Sequence, residues 1–287
     1  MSPIDTLTMS ASVISLSGQT VAKKLYVNKH TGGTFSFSAG MVFFALIIFL
    51  LTSKGTFRFS SSVLTYSFWF ALSYGLAVVG SFLAIKTGPI SLTSLFNQNS
   101  LLVPVFYGIL FQGEALTSKL IFGIVLLIVS LIFINYEKGA KQKNITLGWV
   151  IFIIISFIGN GVCSTVQRVQ AINFNGEYKN EFMIIAYGIT LAAIFIIAVF
   201  TEKKDILSNL KNGLAYFSVG GLCNGVLNYL SLIMALTIPA AIMFPVRSAA
   251  GVILNTLISV FCFKEKLSAF QLIGIAIGTA SIVVLNM

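Results

Sequence analysis

An arginine stands inside an otherwise apolar stretch, in Met243-Phe244-Pro245-Val246-Arg247-Ser248-Ala249. Arg247 comes 8 residues after Pro239 and 17 before Lys264, too far from either end for its side chain to reach water comfortably. A charge held at such depth is costly in hydrocarbon and marks a solute pathway or a paired site; the plainer alternative is a guanidinium held by carbonyls as a packing element. Pro245, two residues earlier, predicts a broken or bent helix that frees carbonyls at the same depth. The chemistry this points to is recognition of an anionic, zwitterionic or polar solute rather than the making of bonds.

Amides supply the other candidates. Asn97 and Gln98 lie in Leu95-Phe96-Asn97-Gln98-Asn99-Ser100, three consecutive amides within an apolar segment. Neighbouring positions on a helix differ by about 100°, so the three cannot share one face. The expectation is that Asn97 or Gln98 touches solute, while interhelical hydrogen bonding accounts for any single amide. Gln19, Asn160, Gln167, Asn224 and Asn228 complete the set, and the last two are four apart and share a face. Tyr74 and Trp69 are candidates to line a cavity, Trp69 equally to anchor at the membrane interface.

The acids are informative by their places. None of Asp5, Glu114, Glu137, Glu177, Glu181, Glu202, Asp205 and Glu265 falls at the centre of an apolar run, so no buried carboxylate offers itself to carry a proton or bind a cationic drug. Glu114 and Glu265 immediately precede Ala-Leu-Thr and Lys-Leu-Ser, where a turn or helix-start role fits, and Pro89, Pro239 and Pro245 are read with them as turn or gating positions. The single histidine, His30, lies in a loop. Cys163, Cys223 and Cys262 lack metal-ligand spacing, and no glycine run ends in the Lys-Ser/Thr of a phosphate loop. No catalytic constellation, metal or cofactor is expected, and the chain is not read as an enzyme.

The elements that must position these residues follow from composition. Of 287 residues 57% are hydrophobic and only 9% charged, against about 25% in a soluble protein. Mean hydropathy is +0.96. The apolar residues form long runs, apolar on nearly every face, as hydrocarbon-spanning helices require and barrel strands do not. The net charge of +10 is carried largely by lysines in short loops, where lipid headgroups account for it and nucleic acid need not. The N-terminus lacks the basic region of a cleaved signal, so the first span is expected to be retained. Ten spans are predicted, at about 5–22, 34–53, 64–86, 91–112, 117–135, 147–169, 182–200, 212–236, 240–262 and 267–286. The fold class is an all-α, multi-pass protein of the cell membrane.

The two halves, 1–135 and 147–287, joined by the polar linker 136–146, resemble one another. Glu114, Leu116 and Thr117 recur as Glu265, Leu267 and Ser268, 151 residues on; Gly123, Ser130 and Asn135 match Gly274, Ser281 and Asn286 at the same offset. Gly75, Ser81 and Pro89 match Gly225, Ser231 and Pro239 at 150, which also places Asn97 opposite Arg247. With five spans each, successive halves point in opposite directions. Ten helices then form two inverted five-helix repeats, an arrangement suited to alternating access around a site where the repeats meet.

The chain resembles the drug/metabolite transporter superfamily in its ten-helix, EamA-like branch. The resemblance rests on Ala84-Ile85-Lys86-Thr87-Gly88-Pro89, Pro104-Val105-Phe106 and Gly113-Glu114-Ala115-Leu116-Thr117, with a degraded second copy around Pro239, Glu265 and Gly274. It implies a secondary transporter of a small organic solute or metabolite, often outward. The tryptophan usual in the first span of such proteins is absent. The partners expected are a small-molecule solute and membrane lipids, in a monomer or homodimer. A non-transporting structural or regulatory membrane protein, or a membrane-embedded lipid-handling enzyme, is the alternative. Loop lysines put both termini outside by the positive-inside rule, whereas the family keeps both in the cytoplasm.

Overall fold

A computed structural model describes residues 2–30, 32–55, 57–58, 60–87, 93, 96–97, 99–135, 146–263 and 268–286. Pro89, Gln98, Glu265 and linker residues 136–145 lie outside these. The described residues form α1 (Pro3–Lys29), α2 (Thr34–Thr52), α3 (Ser61–Thr87), α4 (Leu102–Phe111), α5 (Ser118–Asn135), α6 (Leu147–Asn173), α7 (Lys179–Glu202), α8 (Ile206–Met234), α9 (Ala240–Phe263) and α10 (Ala269–Asn286), with a 3-10 turn at Lys203–Asp205. Thr93, Phe96, Asn97 and Asn99 are helical as well, just ahead of α4.

Several of these helices are long and apolar enough to cross a bilayer: Thr34–Thr52, Ser61–Ser81, Leu147–Asn173, the α7–α8 stretch Lys179–Met234, and Ala240–Cys262. In hydrocarbon no water satisfies backbone N–H and C=O groups, so an apolar run must close its hydrogen bonds internally as helix. The distribution of side chains agrees. Large apolar residues such as Phe43, Phe111, Leu147, Phe200 and Phe261 are exposed, whereas Ser12, Ser36, Ser67, Ser130, Ser156, Ser231 and Ser281 are buried. Lipid tails accept the first set, and small residues let helices approach closely inside. The chain is an all-α, multi-pass membrane protein.

Two readings of local structure change. Several helices extend beyond the predicted spans: α1 continues to Lys29 and α8 begins at Ile206, because a helix need not stop where its apolar stretch does. Of the broken or bent helix expected at Pro245, the break is absent. Helix α9 runs through Pro245 without interruption. The interruption falls instead in the fourth span, as a turn at Ser100–Leu101. Pro104 has no N–H to bond the Ser100 carbonyl, and the Val103 N–H takes that acceptor at 3.1 Å in a tighter turn. Gly161 of α6 allows this: a Cβ there would stand 2.5 Å from Val103 and 3.0 Å from the Ser100 carbonyl.

The chain divides into two compact units, one of Met1–Met9, Leu76–Thr165 and Thr237–Met287, the other of Ser10–Gly75 and Val166–Leu236. Each draws helices from both sequence halves. In the first unit α5 packs along α10. Ser130 Oγ donates to the Gly274 carbonyl at 2.7 Å, and Ser281 Oγ to the Gly123 carbonyl at 2.8 Å. A Cβ on Gly123 would stand 2.6 Å from Leu285, and one on Gly274 2.6 Å from Ile134. Positions rise along α5 as they fall along α10, so the two helices are antiparallel. In the second unit α8 packs on α2 through Gly221 and Gly225, whose missing Cβ atoms would stand 2.4 Å from the Met41 carbonyl and 2.9 Å from the Ala45 carbonyl.

Candidate functional site

In the second unit α8 presents Asn224 and Asn228 on one face, and α1, α6 and α7 each bring a polar side chain to them. Asn224 Nδ2 donates to Gln19 Oε1 at 2.9 Å. The buried Tyr187 hydroxyl donates to Asn224 Oδ1 at 2.9 Å. Asn228 Nδ2 donates to the Asn224 carbonyl at 2.9 Å and lies 3.3 Å from its Oδ1. Gln167 Nε2 donates to the Asn228 carbonyl and Oδ1, each at 3.1 Å. Four amides and a phenol therefore form one connected network joining residues 205 positions apart. A buried network with every member paired orders its helices, since an unpaired polar group in a low-dielectric interior is costly.

Aromatic rings close one side of this network. Tyr187 meets Phe70, Tyr74 and Phe49 edge-on, with centroids 6.1, 6.2 and 5.8 Å away. Tyr74 is stacked on Phe70 at 5.7 Å. Gln19 and Asn228 are half-buried rather than sealed, and among the described residues the Gln19 Nε2 and Gln167 Oε1 atoms have no protein partner. The cluster therefore holds a spare donor and a spare acceptor beside aromatic faces. That arrangement suits a polar solute recognised by hydrogen bonds.

The remaining candidates, apart from Trp69 in the second unit, belong to the first unit. Asn97 joins three segments: its Nδ2 donates to Ser81 Oγ of α3 at 2.9 Å, and its Oδ1 accepts from Ser156 Oγ of α6 at 2.6 Å. Its carbonyl accepts from Ser100 Oγ at 2.6 Å, so it also braces the interrupted span. Asn160 is half-buried on α6. Arg247 is buried on α9, its guanidinium carbon 5.1 Å from the Phe244 ring centroid, a cation–π distance. On the same helix Ser248 Oγ and Asn255 Oδ1 are buried without a hydrogen-bond partner among the described residues. Trp69 is exposed on α3. Gln19, Tyr74, Asn224 and Asn228 are thus brought together in the second unit, while Arg247, Asn97 and Asn160 belong to the first.

Glu114 holds a helix start, though not that of its own helix. Its carboxylate accepts from the Ala240 N–H at 2.7 Å and the Ala241 N–H at 2.9 Å, the first two free donors of α9. Pro239 sits just before them, its carbonyl taking the N–H groups of Ile242 and Met243. A carboxylate on a helix N-terminus is favoured by both the free donors and the helix dipole. Replacing Glu114 by alanine strands two N–H groups and is expected to lower stability by about 2 kcal/mol, with glutamine losing less. Thermal unfolding in detergent reads this.

Two residues of the second unit were not singled out from sequence. Tyr187 shares the apolar run of α7 with a second hydroxyl, Thr190, so nothing in the sequence sets it apart. Glu202, which reads as one more loop charge beside Lys203 and Lys204, instead accepts from the Phe35 N–H at 2.7 Å and from the Ser36 N–H and hydroxyl, capping α2 from 166 residues away. Among the described residues no group of three metal-ligating side chains occurs.

Neither a protein-family model nor a curated protein matches the chain. Among solved structures, one protein crystal structure superposes with a TM-score of 0.79 at 15% identity, over 99% of this chain and 96% of that one. At that identity the likeness concerns the fold.

Proposed function

Proceeding from a multi-pass helical fold that an existing structure shares over nearly its whole length, we propose that this chain is a secondary transporter of a small polar solute. In this reading it has ten spans in two inverted five-helix repeats and is an EamA-like member of the drug/metabolite transporter superfamily. The reciprocal packing of α5 and α10 carries the proposal. Ser130, Gly123 and Ile134 each have an equivalent 151 residues on, in Ser281, Gly274 and Leu285. Each contact made by one set is made in return by the other. Exchange of equivalent contacts is what a two-fold axis produces, and between antiparallel helices that axis lies across them, in the membrane plane. Repeats so related favour two interconvertible states that open to opposite sides.

The proposed recognition site is the network of Gln19, Gln167, Tyr187, Asn224 and Asn228. It combines segments from both repeats, so a shift of one repeat against the other alters its geometry. Amides without a carboxylate favour an uncharged or zwitterionic solute over a cation. Arg247, buried on α9 of the first unit, is proposed separately as a charged element of the solute pathway, because a charge at that depth is costly in a membrane.

Counterflow in proteoliposomes loaded with amino acids, nucleosides, sugars or organic anions, with and without a proton or sodium gradient, tests the reading. Saturable exchange of one class is expected, and absence of exchange for all four overturns it. Arg247→Ala is expected to reduce exchange about tenfold or more at unchanged melting temperature. Unchanged exchange removes Arg247 from the pathway.

A further inference from the structure

Away from the amide network, the second unit carries a groove of about 580 Å³ between α2, α7 and α8. Its walls are alanine, glycine, phenylalanine and leucine, with no polar side chain among them. Gly40 lets the Phe217 ring lie on the α2 backbone as its floor, since a Cβ there would stand 2.6 Å from that ring. Phe43, Phe195 and Leu214 along it are exposed.

Position along the membrane normal is given by the helix ends. Glu202 on the N-terminus of α2 puts the start of α2, the end of α7 and the start of α8 on one side of the bilayer. From that side the walls run along α8 from Leu210 to Phe217 and along α7 from Phe195 back to Gly188. At 1.5 Å per residue these span depths of about 6 to 20 Å, close to the ~15 Å of hydrocarbon in one leaflet. At the shallow end stand the exposed Lys203, Lys204 and Lys211. Lys211 shares a face with Leu214, one turn deeper. The acids there are Asp205, exposed, and Glu202, committed to α2.

We propose that this groove is a binding site for an anionic phospholipid, one acyl chain in the groove and the phosphate among Lys203, Lys204 and Lys211. Depth, apolar lining and a basic rim at the headgroup level agree on that occupant. A second copy of the chain fits less well. A two-fold interface would set each lysine cluster against its own equivalent, and like charges in contact repel.

The test is native mass spectrometry of detergent-purified protein offered phosphatidylglycerol or phosphatidylcholine with the same acyl chains. Wild type is expected to retain phosphatidylglycerol about tenfold better. A Cβ on Gly188 would meet nothing within 4 Å, so Gly188→Leu fills the groove without a backbone clash and is expected to lose the lipid at unchanged melting temperature. The triple variant Lys203→Gln, Lys204→Gln, Lys211→Gln is expected to lose the preference while keeping the phosphatidylcholine level. Leu214→Trp at the exposed mouth serves as a second blocking variant. Equal retention of the two lipids by wild type, or full retention by both blocking variants, overturns the proposal. So does a dimer peak that disappears with Gly188→Leu, which assigns the groove to a second copy.

Discussion

Gly221→Ile is expected to be among the most destabilising substitutions in the chain. The Cβ position of Gly221 is 2.4 Å from the Met41 carbonyl oxygen and 2.6 Å from Phe44 Cβ. The first of these is backbone in the middle of α2, which cannot rotate away. Helix α2 would have to shift, and with it the Gly225 contacts on Ala45 and Ile48 one turn further along. Overpacking a closed interface costs ~1–3 kcal/mol even where side chains can yield, so a β-branched residue against backbone is expected to cost about 3 kcal/mol or more. Gly75 is the control. It also lies inside a helix, but a Cβ there meets nothing within 4 Å, and Gly75→Ala is expected to raise stability by roughly 0.5–1 kcal/mol. Equilibrium unfolding in mixed detergent separates the two. Equal effects would mean that α2 and α8 do not meet as described.

Asn224→Leu is expected to have the largest effect on function. Asn224 donates to Gln19, accepts from Tyr187, and lies against Asn228, so its loss severs the network at its centre. The fully buried Tyr187 hydroxyl then loses its Asn224 acceptor, at a cost of about 1–3 kcal/mol. If the network recognises the solute, exchange in proteoliposomes falls by about tenfold or more in the same variant. Stability and function are separable here. Adding Tyr187→Phe removes the hydroxyl that lost its Asn224 acceptor, so the double variant is expected to regain much of the stability and none of the exchange. Recovery of exchange with stability would make the network a packing element and move the solute elsewhere.

The outline of this protein could be read along the chain because hydrocarbon imposes a local rule. Any stretch of about 20 apolar residues must satisfy its own backbone, so span positions follow from composition alone. The internal matches could be read for a similar reason: Ser130 and Ser281, or Gly123 and Gly274, carry their signal in identity and spacing. Side-chain partnership has no such local signature. Glu202 stands beside Lys203 and Lys204 in the sequence, and only the meeting of α7 with the start of α2, 166 residues earlier in the chain, makes it a cap. Glu114 reads in sequence as the start of the span that follows it, whereas its carboxylate meets the first N–H groups of α9.

By itself, then, the sequence determined an all-helical membrane chain and a short set of polar residues expensive enough in lipid to matter. Arg247 headed that set because a charge at depth is costly wherever its partners lie. Tertiary structure alone decided which members meet. Gln19, Tyr187, Asn224 and Asn228 converge from three helices, whereas Asn97 braces an interrupted span in the other unit. It also moved the expected interruption from Pro245 to Ser100. Helix α9 tolerates its proline, while in the fourth span Pro104 denies the Ser100 carbonyl the donor four residues on, so the Val103 N–H takes it in a tighter turn, and Gly161 leaves room for that turn. The physical reason is common to these cases. Apolar content acts on each segment separately, whereas a hydrogen bond between helices exists only where two backbones approach closely, and that approach is set by small residues far apart in the chain.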